Sequence, residues 1–418
     1  MVFRGICPKY IMNKSTEKSE TIDVKMFQKT AYPILFAIAF SHLLNDLLQI
    51  IIPSIYPILR ETYSLSFTQI GFITFVYQVT ASLLQPIVGM RTDKKPMPYS
   101  LAFGMGFTML GLIFLAFAGT YVVILLAVGL VGIGSSIFHP EASRVAYLAS
   151  GGKRGLAQAI FQVGGNTGTA VGPLLVILIV IPYGQTYILW FLVLAIIGIA
   201  LLSKIAHWYQ KHLLLRKAQK IQVKEYHPRL RKKQIKSSII ILLVLIFSKY
   251  IYMTSISSYF TFYLIDKFNV SIPDSQFYLF LFFGSVALGT FLGGPLGDRF
   301  GRKYVIWFSI LGSAPFALML PYVGLFWTGA LVVIIGLILS SAFSAILVFA
   351  QELLPGKVGM ISGMFFGFAF GIAGLGSALL GYLADHSSIE FVYQICSFLP
   401  LIGAVAYFLP NVRTHSTG

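Results

Sequence analysis

The sequence contains little charge for its length. Charged residues make up 11% of the 418 residues and hydrophobic residues 57%, and the mean hydropathy is +0.81. Soluble globular chains are roughly one quarter charged, so this composition excludes a soluble enzyme. Twelve membrane-spanning helices of about 20 residues would use about as many apolar residues as the chain has. The composition therefore predicts a polytopic helical membrane protein, and its long apolar runs exclude an outer-membrane barrel.

Cysteines are few, and the common cofactor motifs are missing. Cys7 and Cys396 lie at opposite ends of the chain and cannot form a disulfide framework. The sequence has neither a glycine–lysine phosphate-binding loop nor a cysteine–histidine metal pattern. We therefore expect no cofactor and no metal. We also expect that an ion or substrate gradient, rather than ATP hydrolysed by this chain, supplies energy.

Apolar runs separated by polar breaks predict an all-α fold with twelve transmembrane helices. Helices are required because lipid cannot satisfy exposed backbone polar groups. The predicted spans are 32–57, 67–90, 98–118, 121–147, 156–181, 186–204, 238–264, 276–297, 303–321, 326–351, 358–382 and 390–409.

The net charge of +17 is distributed unevenly around these spans. Nearly all lysines and arginines lie in the terminal tails, in the even-to-odd connections and in the stretch Lys204–Lys236. Outside the spans, Arg60 and Lys267 are the exceptions. Because cytoplasmic loops carry such an excess, we predict a multi-pass cell-membrane protein with both termini in the cytoplasm. The charge thus indicates topology and contact with anionic lipid, not a nucleic-acid partner.

The two halves of the chain repeat each other. Gly89–Lys95 after the second span matches Gly294–Lys303 after the eighth, and Gly152–Gly155 matches Gly356–Gly359 at nearly the same offset of half the chain. Parallel six-helix repeats predict a substrate site between the halves, near the bilayer midplane. The predicted domains are a cytoplasmic tail 1–30, a first bundle 31–204, a basic linker 205–237, a second bundle 238–410 and a tail 411–418.

The repeated loop has a mechanical interpretation. Its glycines allow a tight turn, and its aspartate can cap a neighbouring helix or pair with arginine. We predict that the two loops act as cytoplasmic latches that favour one of two rocking states, although a pure topology anchor is left open. The predicted gating residues are Gly89, Asp93, Gly294, Asp298, Arg299, Gly301 and Arg302.

These loops carry a family resemblance. Gly294–Lys303 resembles the loop signature of the major facilitator superfamily, and Gly89–Lys95 resembles a degenerate copy of it. Gly168, Gly172 and Pro173 in the fifth span resemble the antiporter motif of that superfamily. The resemblance implies two pseudo-symmetric six-helix bundles, alternating access and function as a monomer.

A narrower resemblance covers the first half most closely. The stretches Ser41–Asp46, Leu65–Ser100 and Phe138–Pro173 resemble the fosmidomycin-resistance branch of efflux proteins. That branch implies export and antibiotic resistance.

The first span carries a polar stripe. His42, Asn45, Asp46 and Gln49 follow one another at helical spacing on one face. Ionisable groups within a span are costly, so each is a functional candidate. We predict that Asp46 carries the coupling proton, that His42 relays it or binds substrate, and that Asn45 binds substrate. A packing node between helices is the alternative.

Lys249 in the seventh span is the counterpart of this stripe. The repeat offset puts it at the depth of Asp46, from the opposite half. We predict either an ion pair between them that breaks and reforms, or an anionic substrate held by Lys249; a static pair is the alternative. Tyr252, predicted on the same face, is a candidate substrate contact.

The fourth span ends in a polar cluster around Pro140. Glu141 and Arg144 are three residues apart and can pair. We predict a proton-coupling role for Glu141 and binding of a phosphonate or phosphate by Arg144 and His139. An interfacial position without function is the alternative.

Amides in the second and fifth spans complete the predicted site. Gln162 and Asn166 recur at helical spacing, and Gln78 repeats the pattern in the second span, so all three are predicted to line the cavity and bind substrate. The sequence therefore predicts a secondary transporter, a proton-coupled antiporter that exports a small anionic compound. Its expected partners are that substrate, protons and lipid. Import of an organic anion such as a sugar phosphate or carboxylate, and a non-transporting sensor, are the alternatives.

Overall fold

A computed structural model describes residues 29–218 and 230–411. Within these ranges the chain is helical and contains no strand, which confirms the all-α prediction. Eleven of the described helices are long and apolar enough to cross a membrane, and the third is shorter. The spans are α1 (Tyr32–Ser54 and Tyr56–Tyr63), α2 (Phe67–Lys94), α3 (Ser100–Ala116), α4 (Tyr121–Ala149), α5 (Arg154–Tyr183), α6 (Gln185–Phe191 and Leu192–Ala218), α7 (Lys232–Phe268), α8 (Ile272–Phe300), α9 (Arg302–Leu311, Ala314–Met319 and Leu320–Tyr322), α10 (Leu325–Leu353), α11 (Val358–His386) and α12 (Ile389–Cys396 and Leu399–Phe408).

Local sequence explains the beginning of α2 and the break in α1. Ser66 and Gln69 form a capping box, in which each side chain accepts a hydrogen bond from the backbone N–H of the other residue. Pro53 has no N–H to donate, and α1 breaks at Ile55 before it resumes. Its second segment ends at Ser64, which adopts the left-handed conformation at φ 51°. The polar residues of the first segment of α1 therefore lie just before this break.

The helices that join the two halves set the frame of the site. Within the first half α1 packs on α5 and α4 packs on α2 and α3, whereas α10 packs on α8 and α9 in the second half. Across the halves α2 packs along α11, and α5 packs along α8. The halves are thus held together by two antiparallel helix pairs, with the remaining space between them.

Several helix ends differ from the sequence prediction. Helix α6 continues to Ala218 rather than ending near 204, and α7 begins at Lys232 rather than near 238. Hydropathy marks where the hydrocarbon ends, whereas a helix can continue into water because its charged side chains are hydrated there. Residues 219–229 of the predicted linker, 1–28 of the first tail and 412–418 of the last lie outside the described residues.

Candidate functional site

A cavity of about 190 Å³ lies between the two halves. Six helices line it: α1, α2, α5, α7, α8 and α11. The lining residues are Asp46, Gln49, Ile50, Pro53, Tyr56, Thr74, Tyr77, Gln78, Thr169, Tyr250, Met253, Thr254, Ser257, Ser258, Phe283, Phe370 and Ala373. Hydroxyl and amide groups therefore surround a single acidic side chain in this wall.

That acidic side chain, Asp46, is held by two histidines and an amide. His42 Nε2 lies 3.2 Å from Asp46 Oδ2, and His139 Nε2 lies 3.6 Å from Asp46 Oδ1. Asn45 Nδ2 donates to Oδ1 at 3.0 Å. Both histidines are almost fully buried, whereas the Asp46 side chain is 20% exposed toward the cavity. We call Asp46, His42 and His139 the carboxylate–histidine triad.

The Nδ1 atom of each imidazole donates a hydrogen bond to a backbone carbonyl oxygen. His42 Nδ1 lies 2.8 Å from the carbonyl oxygen of Phe161, and His139 Nδ1 lies 3.0 Å from that of Ser135. A carbonyl oxygen only accepts, so each Nδ1 carries a hydrogen. In the neutral imidazole each Nε2 is then a bare acceptor facing a carboxylate. In that tautomer a proton on either histidine or on Asp46 would make these contacts attractive, so the arrangement is suited to a shared proton.

The triad depends on a close approach of α5. A Cβ on Gly165 would lie 2.5 Å from His42 Nε2 and 2.6 Å from Asp46 Oδ2, so any larger residue there would displace these side chains. Each of the three side chains offers one possible metal-ligand atom, and these atoms lie within 4.8 Å of one another, so the triad could also hold a metal ion. The sequence search for cysteine–histidine motifs missed this cluster because its members come from two helices.

Lys249 does not pair with Asp46 in this conformation, so a static pair is absent, and a pair that breaks and reforms or a substrate held by Lys249 stays a prediction. Its ammonium donates to the carbonyl oxygen of Ser340 at 3.5 Å and lies 5.6 Å from the centre of the Phe343 ring and 5.8 Å from that of Tyr250. A repeat offset predicts the depth of a residue in the bilayer, but depth does not determine the direction of a side chain around the helix axis.

A row of aromatic rings lies between His139 of the triad and Lys249. Phe366 and Phe370 of α11 contact the His139 ring at centroid distances of 5.1 and 5.0 Å, and Phe366 contacts Phe343 at 5.1 Å. Lys249 is therefore not among the residues that line the cavity in this conformation.

Tyr252 also differs from its predicted place. It is buried at 2% exposure and is not part of the cavity lining. Tyr250, Met253, Thr254 and Ser257 line the cavity instead, and their spacing of three, one and three residues is one face of a helix. That spacing is visible in the sequence, but the prediction was made for the helix face that carries Lys249.

Arg144 lies in a buried latch rather than in the cavity. Its guanidinium pairs with Asp93 and with Glu141, whose Oε1 is 3.3 Å from Nε, and it donates to the carbonyl oxygen of Thr92. The predicted pair with Glu141 is therefore confirmed. Arg144 does not line the cavity, because α4 carries its last turns past the cavity to the end of α2. Its predicted contact with a phosphonate stays a prediction.

Asp93 extends this latch to the other half. Its two carboxylate oxygens accept hydrogen bonds from the backbone N–H groups of Gly359 at 3.0 Å and Met360 at 2.7 Å, in the first turn of α11. Gly89 makes the approach possible, because a Cβ there would collide with the Gly359 carbonyl. The predicted gating loop thus joins the halves at this point.

The equivalent loop in the second half carries its own pair. Arg302 Nη1 lies 2.6 Å from Glu352 Oε2, and both side chains are buried. Gly301 begins α9 at φ +94°, a conformation that favours glycine. Arg299 is exposed beside the Phe300 ring. The side chains of the predicted gating residues Gly294 and Asp298 lie outside the described part of the chain.

The predicted amides are distributed between cavity and interface. Gln78 lines the cavity. Asn166 donates to Thr290 Oγ1 at 2.8 Å and so joins α5 to α8 across the halves. Gln162 is buried outside the cavity lining.

The antiporter-like residues of α5 face α1. A Cβ on Gly168 would collide with the Leu43 carbonyl, and one on Gly172 would meet Ile50. Pro173 follows within the same helix. Their position explains close packing of α5 on α1, and their role in antiport stays a prediction.

Comparison with known proteins agrees with this architecture. The family model of the Major Facilitator Superfamily matches residues 38–374 and 239–418. The chain is 58% identical over 385 residues to the fosmidomycin resistance protein of Escherichia coli (strain K12), covering 92% of this chain and 94% of that one. It is 46% identical over 384 residues to the uncharacterized MFS-type transporter YfnC of Bacillus subtilis (strain 168), covering 91% and 94%.

Solved structures agree in fold. The transporter FucP in its outward conformation superposes with a TM-score of 0.66 at 15% identity, covering 92% of this chain and 100% of that one. A second structure, of an altered form of the E. coli fucose:proton symporter FucP, gives a TM-score of 0.65 at 14% identity, covering 92% of this chain and 100% of that one. Identities this low show a shared fold and nothing about substrate.

Proposed function

The chain belongs to the major facilitator superfamily, and we propose that it is a proton-coupled antiporter that exports a small anionic compound. As a member it is a multi-pass membrane transporter of small molecules and not an enzyme. We infer in addition that transport is outward, that the coupling ion is the proton, and that named residues couple proton movement to substrate movement.

The carboxylate–histidine triad is the observation that carries the proposal. Its Asp46 carboxylate is the acidic group in the wall of the central cavity, both histidines are buried, and the Nε2 atoms of the imidazoles lie 3.2 and 3.6 Å from the carboxylate, where a proton could be shared. A substrate that donates a hydrogen bond to the deprotonated carboxylate therefore competes with a proton for Asp46.

The remaining cavity wall suits an oxygen-rich anion. Tyr250, Thr254, Ser257 and Ser258 of α7 offer hydroxyl groups that can donate to phosphonate, phosphate or carboxylate oxygens. The cavity is smaller than the roughly 300 Å³ at which drug-sized pockets begin, which supports a small substrate. Lys249, behind Tyr250, would add a positive charge when the aromatic row opens.

Two observations support export: the name of a close relative and the antiporter-like residues of α5. A protein named for fosmidomycin resistance is 58% identical to this chain, and removal of the drug from the cell is the simplest way for a transporter to cause resistance. We assign the end of α2 that carries Asp93 to the cytoplasm, because the basic connections lie at that end. Both termini then lie in the cytoplasm.

Glu141 is the proposed second proton site. It is buried against Arg144, so a proton on Glu141 would weaken that pair and loosen the latch. Proton binding at this position would favour opening toward the cytoplasm. Its role is separable from that of Asp46, because the two carboxylates lie in different parts of the first half.

A resistance and transport assay tests the proposal. Overexpression in sensitive bacteria should raise resistance to fosmidomycin, whereas an importer would lower it. In proteoliposomes a pH gradient, acidic on the side to which substrate is exported, should drive transport by the wild type and not by Asp46→Asn. Substrate exchange without a gradient should continue in Asp46→Asn. The control Asp266→Asn changes an exposed carboxylate at the end of α7 and should behave as wild type. Full gradient-driven transport by Asp46→Asn would refute the coupling role.

A further inference from the structure

Helices α2 and α11 close on each other at both ends through the same device. At one end Asp93, the next-to-last residue of α2, accepts the backbone N–H of Gly359, the second residue of α11. At the other end Asp385, the next-to-last residue of α11, accepts the backbone N–H of Thr68, the second residue of α2, at 3.2 Å. Each helix thus caps the start of the other with an aspartate. We call these the Asp93 end and the Asp385 end.

The hydrogen bonds at the Asp385 end join the two halves. Thr68 also donates its hydroxyl to the same carboxylate oxygen of Asp385 at 2.7 Å. Close packing continues one turn further in, where a Cβ on Gly71 would lie 3.2 Å from the carbonyl oxygen of Ser377. An aspartate at a helix N-terminus is favoured by the free N–H groups and by the helix dipole. This end is therefore held by a specific contact and not by packing alone.

The two ends differ in strength. Asp93 is mostly buried, accepts from two N–H groups and pairs with the Arg144 guanidinium. Asp385 and Thr68 are both exposed, and within the described residues no cation pairs with Asp385. Exposed charged contacts are weak because water competes for both partners, whereas a buried pair with its hydrogen bonds satisfied is costly to break.

We propose that Asp385 is a positioning residue that closes the Asp385 end during transport, and that its contact is the weaker of the two. The inference rests on the proposed alternating access. Both ends cannot be open at once, so the end with the weaker closure opens more readily. In the absence of substrate the protein then opens at the Asp385 end, which is the extracellular end in the proposed orientation.

Cysteine accessibility tests this without a transport measurement. Two reporters are placed in a background in which Cys7 and Cys396 are serine. Ser257→Cys lies in the cavity wall and also lines a smaller cavity that extends toward Thr261 and Gln276, near the Asp385 end. Ser362→Cys lies beside Ser143 near the Asp93 end, with their hydroxyl oxygens 3.1 Å apart in the native chain. A membrane-impermeant maleimide is added to intact cells for the first reporter and to inside-out vesicles for the second.

Asp385→Ala should raise the labelling rate of the Ser257→Cys reporter about two- to fivefold, the range of a weak exposed contact. Asp385→Asn keeps one acceptor and should give an intermediate rate. Asp266→Asn, an exposed carboxylate near the same face, should give no change. In the unaltered background the Ser257→Cys reporter should label faster than the Ser362→Cys reporter.

Two results would overturn the proposal. Equal labelling of Ser257→Cys in Asp385→Ala and Asp266→Asn would show that the contact closes nothing. Faster labelling of Ser362→Cys than of Ser257→Cys in the unaltered background would show that the Asp93 end is the weaker one. Failure of the unsubstituted chain to raise resistance, with the labelling rates as expected, would instead count against the proposed export function.

Discussion

The two ends of the α2–α11 pair use one geometry with different surroundings. The Asp93 end surrounds its carboxylate with a guanidinium and two backbone N–H groups away from water, whereas the Asp385 end leaves its carboxylate in solvent with one residue as partner. In the proposed account the same helix cap gives a firm closure at one end and an easily opened one at the other. Burial and the counter-ion, rather than the hydrogen-bond pattern, would then set the order in which the two ends open.

Removal of Arg144 should have the largest effect. Arg144→Ala leaves Asp93 and Glu141 without their cation, and loss of one partner of a buried pair costs about 3–5 kcal/mol. We expect a lower thermal unfolding temperature in detergent, loss of transport and faster labelling of the Ser362→Cys reporter. Arg154→Ala removes an arginine that stacks on the Tyr147 ring at the start of α5 and serves as the control. Wild-type transport by Arg144→Ala would show that the Asp93 end is not a latch.

Gly89→Ala should separate α2 from α11 at the Asp93 end through steric overlap, without removing a charge or a hydrogen bond. The added Cβ would overlap the backbone of Gly359, which cannot turn aside, so about 1–3 kcal/mol of overpacking is expected. Transport should fall and labelling of Ser362→Cys should rise. Gly106→Ala is the matched control, because its added Cβ meets nothing within 4 Å. If both alanine variants behave alike, contact between the two backbones does not limit opening.

Asp93→Asn should have an intermediate effect. The amide retains one acceptor for the N–H groups of α11 but loses the charge that pairs with Arg144, so a loss of about 1–3 kcal/mol is expected. Opening should shift toward the Asp93 end, opposite in direction to Asp385→Ala. Labelling of both reporters in one preparation measures the direction, and a shift toward the Asp385 end would contradict the comparison.

Thr68→Val should have the smallest effect. The change removes the hydroxyl that donates to Asp385 and leaves the backbone N–H in place. Because the contact is exposed, labelling of the Ser257→Cys reporter should rise no more than about twofold. A rise as large as that caused by Asp385→Ala would mean that the hydroxyl, not the helix cap, holds this end.

The helical membrane architecture could be predicted from the sequence because lipid requires every span to be long and apolar. The repeated loops predicted two six-helix bundles. The sequence also identified Asp46, His42 and His139 as polar residues out of place in lipid. The sequence could not show that the three side chains meet, since His139 comes from α4 and the direction of its side chain depends on how α4 packs on α1. Lys249 shows the same limit, because the repeat offset predicts depth but not the rotation about the helix axis that decides which groups its ammonium meets. Asp385 was passed over because an exposed aspartate at a helix end carries no signal until its partner from another helix is known.

Proton release on substrate binding tests the central claim most directly. Calorimetric titration of the purified protein with fosmidomycin, in two buffers of equal pH and different ionisation enthalpy, measures the protons exchanged on binding. If substrate competes with a proton at the carboxylate–histidine triad, the wild type should release close to one proton and Asp46→Asn close to none, while Asp266→Asn should match the wild type. Equal proton release by the wild type and Asp46→Asn would contradict the account.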